Sequence, residues 1–286
     1  MSRYATARRA ALGLAVLLAL PAAASAKVNV LYAGSLVNLM EHGVGPAFTK
    51  ATGEAFQGFA GGSGALANQI KGRLRAADVF ISAAPGVNAA LMGKANGDWV
   101  RWYASFARSP LVIGYSPTSR FAAELKAKPW YTVLAEPGIR LGRTDPKLDP
   151  KGALTLALLA HAEKVYDKPG LSAAVLGAAE NPAQVVPEET LVGRLQSGQL
   201  DAGFFYSTET ADLNIPAIAL PPQVALAAQY TVTVVNGAPD AAAAAKFVDF
   251  LLSPAGLAIM KAHGLDTIAP VVSGDAKAVP AGVELK

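Results

Sequence analysis

Cysteine is missing from all 286 residues. Its absence excludes disulfides, thiolate nucleophiles, cysteine-ligated metals and a lipid tether on a cysteine. Histidine is nearly missing too: His42, His161 and His263 are the whole supply, so imidazole catalysis and imidazole metal ligation have few places to occur. A strong charge of either sign is also lacking once position is considered. Arg3, Arg8 and Arg9 precede an apolar run from Ala10 to Leu20, and Ala24-Ser25-Ala26 follows. That layout is a secretory signal ending in an A-x-A site, with cleavage expected after Ala26. The run is shorter than the roughly 20 residues of a membrane span, so residues 1–26 are expected to be removed and not to serve as an anchor. Without them 22 basic residues face 21 acidic ones, and nucleic acid loses its electrostatic reason to bind.

What is present is an alternation of strands and helices. VNVLY at 28–32 is rich in β-formers and stops at Ala33-Gly34-Ser35, after which Leu36, Leu39 and Met40 recur at helical spacing. Gly61-Gly62-Ser63-Gly64 repeats that grammar ahead of Leu66, Ile70 and Leu74, and ADVFIS at 77–82 reads as another buried strand. Further strands are predicted at 111–115, 139–143, 201–206, 216–220 and 230–235, with helices near 152–164, 188–197, 240–252 and 254–263. The alternation points to an α/β protein with mainly parallel sheets. A mature chain of this length buries a substantial core and is expected to split into two lobes. Proline-flanked strands at Ser109-Pro110-Leu111 and Leu220-Pro221-Pro222 mark the crossings. The expected division is 27–110 with 226–286 in one lobe and 111–225 in the other.

Ser63 admits two readings. As a nucleophile it needs a tight G-x-S-x-G turn and a histidine base, but the pattern here ends in Ala65, and His161 and His263 fall inside helical patterns. As one wall of an anion cradle it needs less. The first turn of a helix carries amides without partners and about half a positive charge, so a Gly-Ser turn between strand and helix receives anions readily. Ser35 and Ser63 both occupy such turns. A third helix start follows TDPKLDPKG at 144–152, where Asp149-Pro150 reads as an N-cap with proline in the first turn and the amides of Lys151 and Gly152 point outward. Glu188 and Glu189 open a fourth helix, where first-turn acids suit the dipole. Tyr206 closes the strand GFFY, at the carboxyl end where open α/β sheets place ligands.

LYAGSL at 31–36, GGSGALANQI at 61–70, ADVFISAAP at 77–85, TDPKLDPKG at 144–152, SGQLDAGFFY at 197–206 and KFVDFLLSPAGLAIMKAHGL at 246–265 together resemble the periplasmic molybdate and tungstate binding proteins of ABC importers. The resemblance implies a two-lobed type II binding-protein fold, each lobe a mixed, mainly parallel sheet flanked by helices, with the ligand cleft between them. It implies a periplasmic monomer that catalyses nothing, carries no cofactor and delivers its cargo to a membrane permease. By position, Ser35 and Ser63 match residues that donate to the oxyanion, Lys151 falls where a backbone amide is offered, and Tyr206 matches a ligand-binding tyrosine. Asp149 and either Glu188 or Glu189 match carboxylates that approach the metal centre in the archaeal-type branch. A carboxylate beside a dianion is repelled by about 4 kcal/mol at ~4 Å and an effective dielectric near 20. Oxygen bonding to Mo(VI) or W(VI) would offset that cost and disfavour sulfate. The same fold binding sulfate, phosphate or an organic anion, and a serine hydrolase built on Ser63, are the competing readings.

Overall fold

The computed structural model describes residues 27–285; the expected signal segment, 1–26, lies outside the described residues. The described residues form nine strands in order: β1 (Lys27–Ala33), β2 (Ala55–Gly61), β3 (Val79–Ser82), β4 (Trp102–Tyr115), β5 (Leu141–Gly142), β6 (Ala202–Tyr206), β7 (Ala217–Ala219), β8 (Ala227–Val234) and β9 (Asp266–Gly274). The first sheet runs β2-β1-β3-β8-β4 and continues through β4 into β6 and β5. β1 is apolar on both faces because both are covered: Val28, Val30 and Tyr32 enter one core, while Leu31 packs with Leu66, Ile70 and Phe80 in another.

β4 is the structural link. Its first part pairs with β8 and β9, and residues 111–115 pair with β6 and β7. Pro110 sits at the change of partners, opposite Ala227, where it has no N–H to offer a ladder. Immediately after it the Leu111 amide donates to the Leu226 carbonyl at 2.8 Å. The two chain segments that pass between the sheets therefore run side by side.

The sheets are mixed, but not mainly parallel. Among the described strands β1 runs parallel to β2 and β3, and β5 to β6, whereas β3–β8 and every pairing of β4 are antiparallel. The sequence reading expects parallel pairing from strand–helix alternation; the difference arises because β4 and β8 carry the chain out and back between sheets as neighbours. That reading also leaves β2, β9 and the first half of β4 unassigned. β2 carries Gly58 and Gly61, and most of β9 is partly or fully exposed, so neither shows a clean apolar period.

Helix starts follow their caps. Asp149 accepts from the Lys151 amide ahead of the helix Pro150–Val165, Asp240 accepts from the Ala243 amide ahead of Ala241–Leu252, and Ser253 accepts from the Gly256 amide ahead of Pro254–Ala262. In the second sheet the entry to β5 is held by Asp201, which lies just ahead of β6 and accepts from the Arg140 amide, Nε and Nη2, each at 2.9 Å, and from Ser119 Oγ at 2.8 Å. Burial works against that charge, but the bonds from Arg140 and Ser119 outweigh it and hold the carboxyl below its ordinary value. A depressed carboxylate contributes stability above its unfolded pKa, about 3.9, and loses it as pH falls through the folded value. Asp201→Asn is expected to lower unfolding free energy at neutral pH by about 2 kcal/mol, with the difference shrinking below pH ~4; urea titrations at the two pH values measure it.

Candidate functional site

The site begins with a register. Ala33, the last residue of β1, is paired with Gly61, the last of β2, so the two Gly-Ser turns leave the sheet next to each other. Ser35 is buried and its Oγ shares a hydrogen bond with the Tyr230 hydroxyl at 2.9 Å. Ser63 is fully buried at the start of the helix Ser63–Lys71, and its Oγ accepts from the Ala83 amide at 3.1 Å, which leaves its proton to donate elsewhere. The first-turn amides of Ser63 and Gly64 have no intrahelical carbonyl to meet.

The second group of elements closes directly over these turns. The Ala65 amide donates to the Leu148 carbonyl at 3.0 Å. A Cβ on Gly62 would stand 2.7 Å from that carbonyl oxygen and 3.2 Å from Asp149 Oδ2, and one on Gly34 would overlap the Glu188 side chain. Glycine is required at both places because the opposing wall leaves no room. Asp149 Oδ1 accepts from Thr144 Oγ1 at 2.9 Å and from the Lys151 amide at 2.8 Å, while Oδ2 is the oxygen nearest Gly62. Two cavities flank the contact, one of about 380 Å³ reached by Ser35, Glu188 and Glu189, the other of about 270 Å³ reached by Gly62, Asp149 and Glu189.

Ser35, Ser63, Asp149, Glu188, Glu189 and Tyr206 are thus gathered at one interface, but the expected role of Lys151 needs correction and the choice between Glu188 and Glu189 narrows. The Lys151 amide is not free, because Asp149 caps the helix with it. The Lys151 side chain, for which that reading had no use, is fully buried, with Nζ 2.9 and 3.0 Å from the two Glu188 oxygens and 2.8 Å from Glu209 Oε1. Glu188 and Glu189 are not interchangeable: Glu188 is buried against Lys151, whereas Glu189 is exposed, with Oε1 3.1 Å from where a Cβ on Gly61 would stand.

Two site residues escaped the sequence reading. Glu209 accepts from Lys151 Nζ through Oε1 and from the Tyr206 amide through Oε2 at 2.7 Å. Tyr230 holds Ser35 and stands edge-on to Tyr206, ring centroids 6.2 Å apart. A Y-S-T-E sequence at a strand end signals a capping acid; nothing in the sequence marks Tyr230.

Three carboxyls surround one ammonium. Burial pushes Asp149 up from its ordinary value against the Lys151 charge and the Thr144 bond, and pushes Glu188 up further against Lys151. For Lys151 burial works against the charge, but Glu188, Glu209 and Asp149 outweigh it and raise the pKa. Burial, then the negative charges of Asp149, Glu188 and Glu209, holds the Tyr206 phenol well above its usual value. It remains a protonated donor, and its hydroxyl is buried with no partner among the described residues. Such orphans are rare in folded proteins and call for an explanation.

Residues 28–266 match the family described as bacterial extracellular solute-binding protein. The chain belongs to that family. Among solute-binding relatives it is 32% identical over 200 residues to a protein of Haloferax volcanii whose name assigns it to molybdenum binding for an ABC transporter, covering 70% of this chain and 61% of that one. It is 26% identical over 223 residues to the molybdate/tungstate-binding protein of Thermococcus kodakarensis, covering 62% and 63%. The chain thus spans about three-fifths of the length of the curated relatives it matches. The periplasmic molybdate-binding protein of Azotobacter vinelandii shares the two-lobed type II fold, with a TM-score of 0.66 at 21% identity over 83% of this chain and 98% of that one.

The solute-binding fold also bears on Ser63. A nucleophilic serine needs a histidine within hydrogen-bond reach, and among the described residues no hydrogen bond joins Ser63 to one. His161 Nε2 meets the Gln223 carbonyl, and His263 Nδ1 meets Asp212. Among the described residues Ser63 therefore has no hydrogen-bonded histidine. What the site depends on instead is the buried ion cluster. Lys151→Met is expected to cost about 3–5 kcal/mol in urea unfolding because it strands two buried carboxylates, and replacing Glu188 and Glu209 by Gln as well should recover most of the loss. A loss under about 1 kcal/mol for the single variant would contradict the compensation.

Proposed function

We propose that this chain is exported to the periplasm, captures molybdate or tungstate between its lobes and delivers it to the membrane permease of an ABC importer, without catalysis and without a resident cofactor. The observation that carries the reading is the Tyr206 hydroxyl, a buried donor with no partner among the described residues, set among Asp149, Glu188 and Glu209 beside two Gly-Ser turns. Relatives named for molybdate, tungstate and molybdenum binding support the choice of cargo.

In this reading Ser63 and the free amides of its helix start donate to oxo groups from one lobe, with Ser35 beside them. Tyr206 donates from the other lobe. Asp149 Oδ2 and Glu189 are the carboxylate oxygens left to approach the metal centre, since Glu188 is engaged by Lys151 on both oxygens. A hard Mo(VI) or W(VI) centre accepts such oxygens; a sulfur centre with four oxygens does not, and the same carboxylates then only repel it. The lobes, 27–110 with 226–286 and 111–225, would close about the paired segments at Pro110–Leu111 and Leu226–Ala227, the closed monomer being the form the permease receives. Cleavage after Ala26 would release it.

Titration calorimetry and thermal unfolding of the mature chain with sodium molybdate, tungstate, sulfate and phosphate test this. Molybdate or tungstate at a hundredfold excess over Kd should stabilise the fold by about 2.7 kcal/mol, and a larger effect from sulfate or phosphate would replace the cargo. Gly62→Ala sets a methyl against the Leu148 carbonyl and should weaken molybdate binding about tenfold or more, as overpacking by 1–3 kcal/mol implies.

A further inference from the structure

Both oxygens of Glu209 are engaged within the protein. Oε1 receives the Lys151 ammonium at 2.8 Å and Oε2 receives the Tyr206 amide at 2.7 Å, and its charge would repel a dianion. Both of its bonds nevertheless converge on Tyr206. One pins the backbone of Tyr206 where β6 turns into the helix Ser207–Asp212. The other holds Lys151 Nζ 5.3 Å from the Tyr206 ring centroid and 5.6 Å from that of Phe205, close enough for a buried cation to attract the ring face. Lys151 cannot drift, because Glu188 grips the same ammonium with both oxygens. Tyr230 closes the remaining side, its ring inclined at 75° to that of Tyr206 and its hydroxyl tied to Ser35. The orphaned hydroxyl is thus the free end of a ring fixed at its backbone, its face and its edge.

We infer that Glu209 is a positioning residue for the cargo: joined to Lys151 on one oxygen and to the Tyr206 amide on the other, it sets the placement at which the Tyr206 hydroxyl meets the bound oxyanion. The inference rests on the oxyanion reading above. It gives the buried lysine a role that differs from direct anion contact, since its protons go to Glu188 and Glu209 rather than into the cleft.

A residue acting through another shows non-additive effects with it. Wild type, Glu209→Gln, Tyr206→Phe and the double variant are titrated with sodium molybdate by calorimetry. Glu209→Gln should weaken binding about tenfold when Tyr206 is present and less than about twofold when it is Phe; equal losses in both backgrounds would overturn the inference. A ligand-free measurement runs beside it, using protein labelled with ¹³Cζ-tyrosine. The Tyr206 signal, identified by its disappearance in Tyr206→Phe, should shift in Glu209→Gln while tyrosines remote from the site keep theirs, and an unmoved Tyr206 signal would overturn the inference. Should the wild type take up no molybdate or tungstate while the Tyr206 signal still moves, the cargo reading falls and with it the oxyanion part of the inference, while the coupling of Glu209 to the Tyr206 ring stands. If Glu209→Gln does not fold, Glu209→Asp, whose shorter carboxylate cannot span both bonds, goes through the same two measurements with the same expected outcomes.

Discussion

A lysine ammonium with no access to water is stable only when its partners supply what the solvent would have given, and Lys151 is such a lysine. Its three bonds to Glu188 and Glu209 tie together the start of the helix Pro150–Val165, the start of Glu188–Gln196 and the first turn of Ser207–Asp212. Those three helix starts form the wall that faces the Gly-Ser turns. The wall therefore has one ionic centre, and the glycines opposite it are the clearance that lets the two surfaces meet.

The opposing surface is built from the backbone. The parallel register of β1 with β2 sets two turns side by side, and glycine at the contact lets the Leu148 carbonyl come within bonding distance of the Ala65 amide. Charge on this side comes from peptide dipoles and hydroxyl protons, not from basic side chains. A site made this way discriminates through geometry and through what the central atom of the ligand accepts. Under the proposed function, carboxylates such as Asp149 and Glu189 would be a penalty for an anion that can only receive protons, and a benefit for one whose metal can expand its coordination.

Much of this was legible in the sequence, for local reasons. The strand–turn–helix grammar around Ser35 and Ser63, the Asp149-Pro150 cap and the four longest helical patterns depend on residues a few positions apart, and the structure has them at or within a few residues of the expected positions. What was not legible is long-range. Lys151 meets partners 37 and 58 positions away, and a lysine among helix-start residues reads as solvated by default. Glu188 and Glu189 differ by a third of a helical turn, so only packing decides which faces inward. Tyr230 holds Ser35 across 195 positions. The antiparallel passage of β4 and β8 between sheets left only the prolines near the crossings, Pro110 and Pro221-Pro222, as local traces.

On the proposed function, a molybdenum or tungsten oxyanion sits where the Tyr206 hydroxyl, the two Gly-Ser turns and the Asp149 carboxylate converge. A crystal structure of the protein with tungstate, recorded at the tungsten absorption edge, tests it directly. The account requires one strong anomalous peak within hydrogen-bonding range of Tyr206 and Ser63 through its oxo groups. A peak bound elsewhere on the molecule, or a closed cleft with water alone beside Tyr206 at saturating tungstate, would contradict it.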